Sequence, residues 1–368
     1  MKSIEFIFPI DGDFLGKSDV YANGGILFTE VIISSEEEKK LTVNGVEASA
    51  INGLYKASVQ IREGKNAFSI SCDGRVCEEI HAYYIPEADK KFRISTDDNI
   101  LFLRNINEKK EEYTSIFNDP YLSVYKKAHD LYGACVDVNL FYETDDMPGF
   151  SHKGEYFNLS MMTDKFKDEW EENSDWLRLS FHANAEHPAK PYASAEYHKI
   201  YDDALKVNKE IIRFAGRKSL SSTATVHWGE ATREGTLAMK ALGYNTLAGY
   251  FEISDSGTPR VAYYYPNELI RHIGARDLWK NHDTGILHAR IDLVLNVIKY
   301  GELEEKLTEI YRDPHRSDFI EIMIHEQYFY PEYKNYIPEF SQMVIEAAGW
   351  LHAHGYTGTF TDRITSRL

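Results

Sequence analysis

The sequence predicts an α/β protein in which a small all-β immunoglobulin-like sandwich precedes a distorted (β/α) barrel of about seven strands. Residues 1–88 consist of short β-rich segments separated by tight turns, whereas residues 89–368 alternate apolar strands with helical stretches. A charged stretch between Pro86 and Lys91 separates the two patterns. With 368 residues, the chain is long for one domain and suits two.

The sandwich is predicted from segments rich in β-branched and aromatic residues and from the turns between them. Asn44-Gly45, Asn52-Gly53 and Asp73-Gly74 tolerate positive φ and favour hairpins. A high density of short strands without a helical period is typical of such a sandwich. The predicted strands are Ile4–Phe8, Ile26–Ile33, Leu41–Val43, Tyr55–Ile61, Ala67–Cys72 and Val76–Tyr84.

The barrel is predicted from a change to alternating strands and helices. Asp119 is a helix N-cap followed by proline, and Gly133 is a stop signal. Repeated βα units predict parallel strands, whose carboxyl ends carry the functional residues. The predicted strands are Phe92–Thr96, Cys135–Tyr142, Leu177–Phe181, Thr223–Trp228, Thr246–Tyr250, Gly285–Ile291 and Phe319–Ile324, and further helices cover about 194–215, 231–242, 300–311 and 338–354.

Charge and composition exclude several classes of partner. A net charge of -17, spread along the chain, repels phosphate backbones and anionic membranes, so we expect neither nucleic acid nor a membrane as partner. The start, MKSIEFIFPIDGDF, has no apolar run of signal-peptide length. Three cysteines form no paired framework, which predicts reduced thiols and a cytoplasmic protein.

Chemically active side chains lie at the ends of four of the seven predicted strands. They are Asp97 with Asp98, His182, His227, and His325 with Glu326. Because parallel strands end at one edge of a sheet, these residues are expected to lie together. The two adjacent carboxylates repel each other unless a cation or a proton lies between them. One then suits a metal ion and the other a base, or else the Asp-Asp-Asn segment is only a turn cap.

The second strand end, in LRLSFHANAEHP, places Glu186 four residues after His182. One helical turn after the strand would bring both side chains onto one face, a spacing suited to two ligands of one ion. His187 is a rival for the second ligand. The alternative is a histidine that bonds only a backbone carbonyl.

The third strand end, TVHWGEAT, contains His227, Trp228 and Glu230. They suit a metal ligand, a stacking surface for a sugar and a hydrogen bond to substrate. The alternative is a helix start with Trp228 packed inside.

The last strand end, EIMIHEQYFYP, contains His325, Glu326 and Tyr328. The histidine suits a general acid, and Glu326 and Tyr328 suit contacts with substrate. The alternative is an aromatic core beneath a loop.

In this order the motifs resemble those of polysaccharide deacetylases, carbohydrate esterase family four, over about residues 91–362. STDDN resembles the family's aspartate pair, SFHANAE its histidine motif, and MIHE its leucine-x-histidine motif. AAGWLHAHGY resembles the closing helix and Gly-Tyr segment. VHWGEAT departs from the family because His227 stands where an arginine is expected.

The resemblance implies a distorted (β/α) barrel, a divalent metal such as zinc, and an acetylated carbohydrate or related small molecule as substrate. It makes Asp97 the catalytic base and His325 the general acid. The implied metal ligands are Asp98, His182 and Glu186, with His227 as a further candidate for the metal or the substrate. Two alternatives stay open: a non-catalytic carbohydrate-binding protein on the same fold, and a metal-dependent hydrolase of a non-sugar amide or glycosidic bond.

Overall fold

Two five-stranded sheets make up the N-terminal part of the computed structural model, which describes residues 4–36, 40–147, 149–152 and 154–366. The strands are β1 Ile4–Phe8, β2 Phe14–Leu15, β3 Val20–Asn23, β4 Ile26–Ser35, β5 Leu41–Val43, β6 Val46–Glu47, β7 Ser49–Ile51, β8 Leu54–Ile61, β9 Gly64–Cys72 and β10 Arg75–Tyr84. One sheet has the order β1-β4-β8-β7 with β3 on β4, and the other has the order β2-β10-β9-β5-β6. Buried side chains from both, such as Val31 and Phe68, form one apolar cluster. A sandwich is therefore present, and its immunoglobulin-like type stays a prediction.

The sandwich is in close contact with the rest of the chain. The Lys280 amide donates to the Gly12 carbonyl at 2.8 Å, and His272 Nε2 lies 2.6 Å from Asp13 Oδ1. One apolar cluster spans both parts and contains Phe14, Tyr83, Leu278, Leu287, Ala289, Phe319 and Ile364. A short 3-10 turn, Pro86–Ala88, lies between β10 and β11, and the domain boundary predicted there stays a prediction. Independent folding of the two parts stays a prediction.

All seven strands predicted for the second part are confirmed, with shifted ends. The strands are β11 Lys91–Asn99, β12 Val136–Phe141, β13 Leu177–Ala183, β14 Thr223–Ala224, β15 Thr246–Gly249, β16 Glu252–Ile253, β17 Pro259–Arg260, β18 Leu278–Asn281, β19 Ile286–Arg290, β20 Leu293–Val294, β21 Phe319–His325 and β22 Thr357–Gly358. The helices are α1 Leu101–Glu108, α2 Pro120–Tyr132, α3 Lys167–Glu172, α4 Tyr197–Phe214, α5 Arg233–Ala241, α6 Asn267–Ile273, α7 Leu303–Arg312, α8 Phe340–Ala353 and α9 Thr361–Thr365. Asp119 caps α2 as predicted, accepting from the amides of Tyr121 and Leu122, and Gly133 ends it at φ 69.

Most of these strands form two curled sheets instead of the single barrel that the sequence predicts, and β16 pairs separately with β17. The larger has the parallel order β13-β12-β11-β21-β20 with β22 against β11, and the smaller has the order β14-β15-β19-β18. Backbone hydrogen bonds connect the two sheets at two places. Ser221 N donates to Leu179 O of β13 at 2.8 Å, and Asp292 N donates to Glu321 O of β21 at 2.9 Å. β14 is too short to form a longer ladder with β13, because the chain turns away in a 3-10 turn at His227–Gly229.

The register of the larger sheet brings two of the predicted functional strand ends together. β11 and β21 pair in parallel, with Asp97 opposite His325. Next to β11, β12 pairs with β13, which ends in His182 and Ala183. The carboxyl ends of these strands therefore form one edge, as parallel pairing requires. Among the described residues, no helix has the length and apolar character needed to cross a membrane.

Candidate metal centre

Asp98, His182 and His227 converge at the carboxyl edge of the strands. His182 Nε2 lies 3.0 Å from Asp98 Oδ1 and 3.0 Å from His227 Nδ1. The remaining side of the triangle, from His227 Nδ1 to Asp98 Oδ1, measures 3.4 Å. All three side chains are nearly inaccessible to solvent. Three potential ligand atoms thus face one point.

Backbone carbonyls fix which nitrogen of each imidazole carries hydrogen. His182 Nδ1 lies 2.5 Å from the Thr225 carbonyl, and His227 Nε2 lies 3.1 Å from the Glu186 carbonyl. A carbonyl oxygen can only accept, so each of these nitrogens donates an N–H. The opposite nitrogens, His182 Nε2 and His227 Nδ1, are left with lone pairs in the neutral rings. This is the usual arrangement around metal-ligating histidines.

The electrostatics of the cluster favour a positive charge at its centre. Burial alone would lower the pKa of His182, but the negative charge of Asp97 and the hydrogen bond to Asp98 raise it to about 9. Burial opposes ionisation of Asp98, yet the positive charge of His325 and the contacts with His182 and His227 hold its pKa well below the usual value. Burial lowers the pKa of His227. Two imidazoles and one carboxylate fit a divalent ion such as zinc.

Asp98 itself is held from two directions. Its backbone lies in the left-handed region at φ 62, which is uncommon for a residue other than glycine. Gln327 Nε2 donates to Asp98 Oδ2 at 2.8 Å, while Oδ1 faces the histidines. The sequence analysis did not single out Gln327, which lies three residues beyond the predicted strand end.

Asp97 lies beside this cluster and is 2% exposed. Asn139 Nδ2 donates to Asp97 Oδ1 at 2.6 Å, and Ser180 Oγ donates to Asn139 Oδ1 at 2.6 Å. Asp97, Asn139 and Ser180 belong to the three neighbouring strands β11, β12 and β13. Sequence reasoning missed Asn139 because it lies within a strand and not at its end.

His325 faces the same point from β21. Its Nδ1 lies 2.9 Å from Asn296 Oδ1, which also accepts from the His325 backbone amide at 3.2 Å. Nδ1 therefore carries hydrogen, and Nε2 lies 3.9 Å from Asp98 Oδ2. Asn296 lies in a short 3-10 turn directly after β20. The sequence analysis did not predict this strand.

Glu186 does not join the ligand cluster, which corrects the predicted pairing with His182. No helical turn follows β13: residues 184–186 form a bend, so the i and i+4 side chains do not share a helix face. Only the Glu186 backbone carbonyl contacts His227. Burial, followed by repulsion from Asp98, raises the pKa of the Glu186 carboxyl to about 7. The rival His187 pairs instead with Asp145, at 2.9 Å between Nδ1 and Oδ2.

Glu326 is a helix cap rather than a residue that faces substrate. It is fully buried, and its carboxylate accepts from the backbone amides of Ile100, Leu101 and Phe102 at 2.6–2.9 Å. These amides open α1 and have no partner within the helix. The negative charge also suits the positive end of the helix dipole. Tyr330 donates to the same carboxylate at 2.8 Å.

The other predicted substrate contacts separate into two groups. Trp228 and Tyr328 line a cavity at the cluster, and Trp228 is 46% exposed with φ 64, so it is not packed inside. Glu230 lies outside that lining and pairs with Lys190 at 2.5 Å. The cavity measures about 520 Å³, and its walls include the apolar side chains of Val294 and Met323. Asp97, Asp98, His182, His227 and His325 all line it.

Comparisons with known proteins give weak structural similarity and no sequence match. No family model and no curated protein matches the chain. BA3943, a CE4 family pseudoenzyme from Bacillus anthracis, is 12% identical with a TM-score of 0.33, covering 76% of this chain and 67% of its own. A CE4 esterase from Streptococcus mutans is 10% identical with a TM-score of 0.36, covering 75% and 87%. Agd3, a carbohydrate deacetylase, is 9% identical with a TM-score of 0.42, covering 95% and 67%. At these values, the chain is similar to these structures only in broad outline.

Proposed function

We propose that this protein is a metal-dependent hydrolase that removes acetyl groups from a sugar or a related small molecule. The proposal depends on one observation: the buried cluster of Asp98, His182 and His227 lies directly beside Asp97 and His325 at the wall of one cavity. The cluster supplies ligands, and the two further residues supply a base and an acid. Metal-assisted hydrolysis of an amide or ester uses these three elements.

The donor set suits a resident divalent ion, with zinc as the best match to two imidazoles and one carboxylate. Such an ion polarises an acyl oxygen and makes water a better nucleophile near neutral pH. Asp98, His182 and His227 would hold the ion. Thr225 and the Glu186 backbone would keep the two imidazoles in the required orientation, as their carbonyl contacts do here.

Asp97 is the proposed general base. The Asn139 amide holds one carboxylate oxygen at 2.6 Å, which fixes the orientation of the other oxygen. As water forms a bond to the acyl carbon, Asp97 accepts its proton. Burial of Asp97 beside the cavity excludes competing bulk solvent from this position.

His325 is the proposed general acid. Its Nδ1–H donates to Asn296, so Nε2 is the nitrogen directed toward the cluster. When the bond between the acyl carbon and the leaving nitrogen or oxygen breaks, protonated Nε2 gives its proton to that atom. The released amine or alcohol then leaves through the cavity, where the exposed face of Trp228 offers a surface for a sugar ring.

Metal analysis and an acetate-release assay test this function together. The purified protein is expected to contain one equivalent of divalent metal and to release acetate from some members of a panel of acetylated sugars. A chelator should abolish both, and zinc should restore them. The Asp98→Asn variant is the matched control, because it replaces an anionic ligand by a neutral amide of the same size. Metal binding without acetate release would instead support the non-catalytic carbohydrate-binding alternative.

A further inference from the structure

A second group of metal-ligating side chains lies where the sandwich meets the second part of the chain. It contains Asp11, His81 and His282, and one potential ligand atom from each of them lies within 4.8 Å of the other two. Asp11 lies in the loop after β1, His81 lies on β10, and His282 directly follows β18. The group therefore takes two residues from the sandwich and one from the second part. The proposed hydrolysis uses none of them.

The Asp11 carboxylate is held in one orientation by its neighbours. Its Oδ1 accepts from the His81 backbone amide at 2.8 Å, and the Asp11 backbone carbonyl accepts from Trp279 Nε1 at 2.9 Å. Oδ2 therefore faces His282, whose Nδ1 is 2.7 Å away. Among the described residues, no lysine or arginine forms an ion pair with Asp11. Its negative charge is therefore not neutralised by a fixed cation.

The His282 ring can present a lone pair at the nitrogen that faces Asp11. Its Nε2 lies 2.8 Å from the hydroxyl of the buried Tyr83, a group that both donates and accepts. With hydrogen on Nδ1, the three side chains form a hydrogen-bond chain that ends at Asp11. With hydrogen on Nε2, the Tyr83 oxygen accepts it, and the Nδ1 lone pair lies beside Asp11 Oδ2. Tyr83 then orients the ring as outer-shell partners of metal-ligating histidines do.

The His81 ring is the third donor, and the hydrogen-bond network does not use it. Neither of its nitrogens has a hydrogen-bond partner among the described residues, and its ring meets the His282 ring edge-on, with 5.9 Å between the centroids. Two imidazoles and one carboxylate suit zinc or another borderline divalent ion. Solvent can supply the remaining ligand, because the Asp11 side chain is 49% exposed.

We propose that Asp11, His81 and His282 form a second divalent metal site, which links the sandwich to the second part of the chain. The backbone hydrogen bond between Lys280 and Gly12 already joins the same two segments. An ion bound to all three side chains would join them by direct ligation as well. Because these ligands are partly exposed, the ion is expected to exchange more readily than one at the buried centre. The purified protein should therefore keep one equivalent at the buried centre, and the second site should fill when zinc is added.

Zinc titration of the full chain carrying Asp98→Asn tests this site apart from the buried centre. After chelation and dialysis, calorimetry should show one equivalent of zinc whose binding depends on His81, and zinc should raise the melting temperature. Adding His81→Gln should weaken this binding by more than the 10- to 100-fold that loss of an outer-shell partner costs. This change removes a ring that makes no hydrogen bond, so the fold should be retained. Adding His198→Gln instead, the same change at an exposed histidine of α4, should leave zinc binding unaltered.

Two results would overturn the second site. Absence of zinc binding by the Asp98→Asn chain would show that Asp11, His282 and Tyr83 form only a hydrogen-bond chain. Equal zinc binding with and without His81→Gln would show that the ion is held by other ligands. Neither measurement depends on acetate release, so the second site and the hydrolase function can be confirmed or rejected separately.

Discussion

His182 Nε2 and His227 Nδ1 lie 3.0 Å apart, and the other nitrogen of each ring donates to a backbone carbonyl. Two ring lone pairs therefore face each other beside the Asp98 carboxylate. Such an arrangement is unfavourable unless a proton or a metal ion occupies the space between them. His182 lies at the end of β13, and His227 lies in the turn that follows β14. These two strands belong to different sheets. A cation at this point would therefore also connect the two sheets.

Substitution of His227 distinguishes the cluster of Asp98, His182 and His227 from the ligand set that the sequence predicts. His227→Ala should weaken metal binding by at least the 10- to 100-fold that loss of an outer-shell partner costs. Glu186→Gln should leave the metal content unchanged, because its carboxylate does not belong to the cluster. Elemental analysis after dialysis against a weak chelator measures both. Retention of metal by His227→Ala together with its loss from Glu186→Gln would restore the predicted pairing.

Asp97 and Asp98 should respond differently to the same change. Asp98→Asn removes an anionic ligand and should lower metal content and activity together. Asp97→Asn keeps the ligands and should reduce turnover by roughly 10²–10⁴-fold, the usual worth of a positioned base. Metal content and acetate release are measured on both variants, with thermal melts to establish that each is folded. Loss of metal from Asp97→Asn alone would reverse the two roles.

Asn296 should act as a positioning residue for His325. Asn296→Ala removes the acceptor that fixes the imidazole, so amide hydrolysis should slow by about tenfold or more while metal content stays constant. An activated aryl acetate has a leaving group that needs no proton, so its hydrolysis should be nearly unaffected. The ratio of the two rates is the measurement. An equal loss on both substrates would indicate a general structural defect instead.

The metal-free protein should lose stability as the pH rises from neutral to alkaline. The folded-state pKa of His182, about 9, lies above the ordinary value of 6.5. Its stabilising contribution, up to about 3 kcal/mol, is complete below pH 6.5 and is lost as the pH rises through 9. Melting temperatures of the metal-free protein and its His182→Gln variant should therefore converge above pH 9. A difference that grows with pH would contradict the raised pKa.

Gly12 should be intolerant of a side chain at the contact between the sandwich and the second part of the chain. A Cβ there would lie 2.0 Å from the Lys280 carbonyl, and the backbone has φ +90. Gly12→Ala should therefore reduce stability by more than the ~1–2 kcal/mol cost of a left-handed alanine. Gly24→Ala is the matched control, because it has φ +60 and no atom within 4 Å. Equal melting temperatures for the two variants would show that the backbone at this contact shifts easily to accept a side chain.

The sequence predicted the presence and type of most elements, because these depend on local patterns, whereas the strand ends are shifted. Asp98, His182 and His227 each follow an apolar strand, and the rule that parallel strands end at one edge was enough to group them. Glu186 was placed wrongly because its assignment assumed a helical turn, and the bend after β13 depends on contacts far along the chain. The contrast shows that periodicity predicts the type of an element more safely than the direction of a side chain.

The supporting residues could not be predicted, because their roles depend on register between distant strands. Asn139 contacts Asp97 only because β12 lies beside β11, and Asn296 reaches His325 only because β20 lies beside β21. Glu326 lies beside a histidine in sequence, which suggested substrate contact. Its actual partners are the amides of a helix that begins 225 residues earlier.

That cap has a consequence for the order of events on the ribosome. The carboxylate that holds the first turn of α1 is synthesised 226 residues after Ile100, the first amide that it binds. β11 likewise cannot pair with its parallel neighbour β21 until β21 has been synthesised. A nascent chain therefore cannot complete this region until translation has nearly ended. Slow, late assembly is typical of contacts this distant in sequence. Premature termination before residue 319 would leave an exposed apolar strand edge, a ready target for chaperones and proteases.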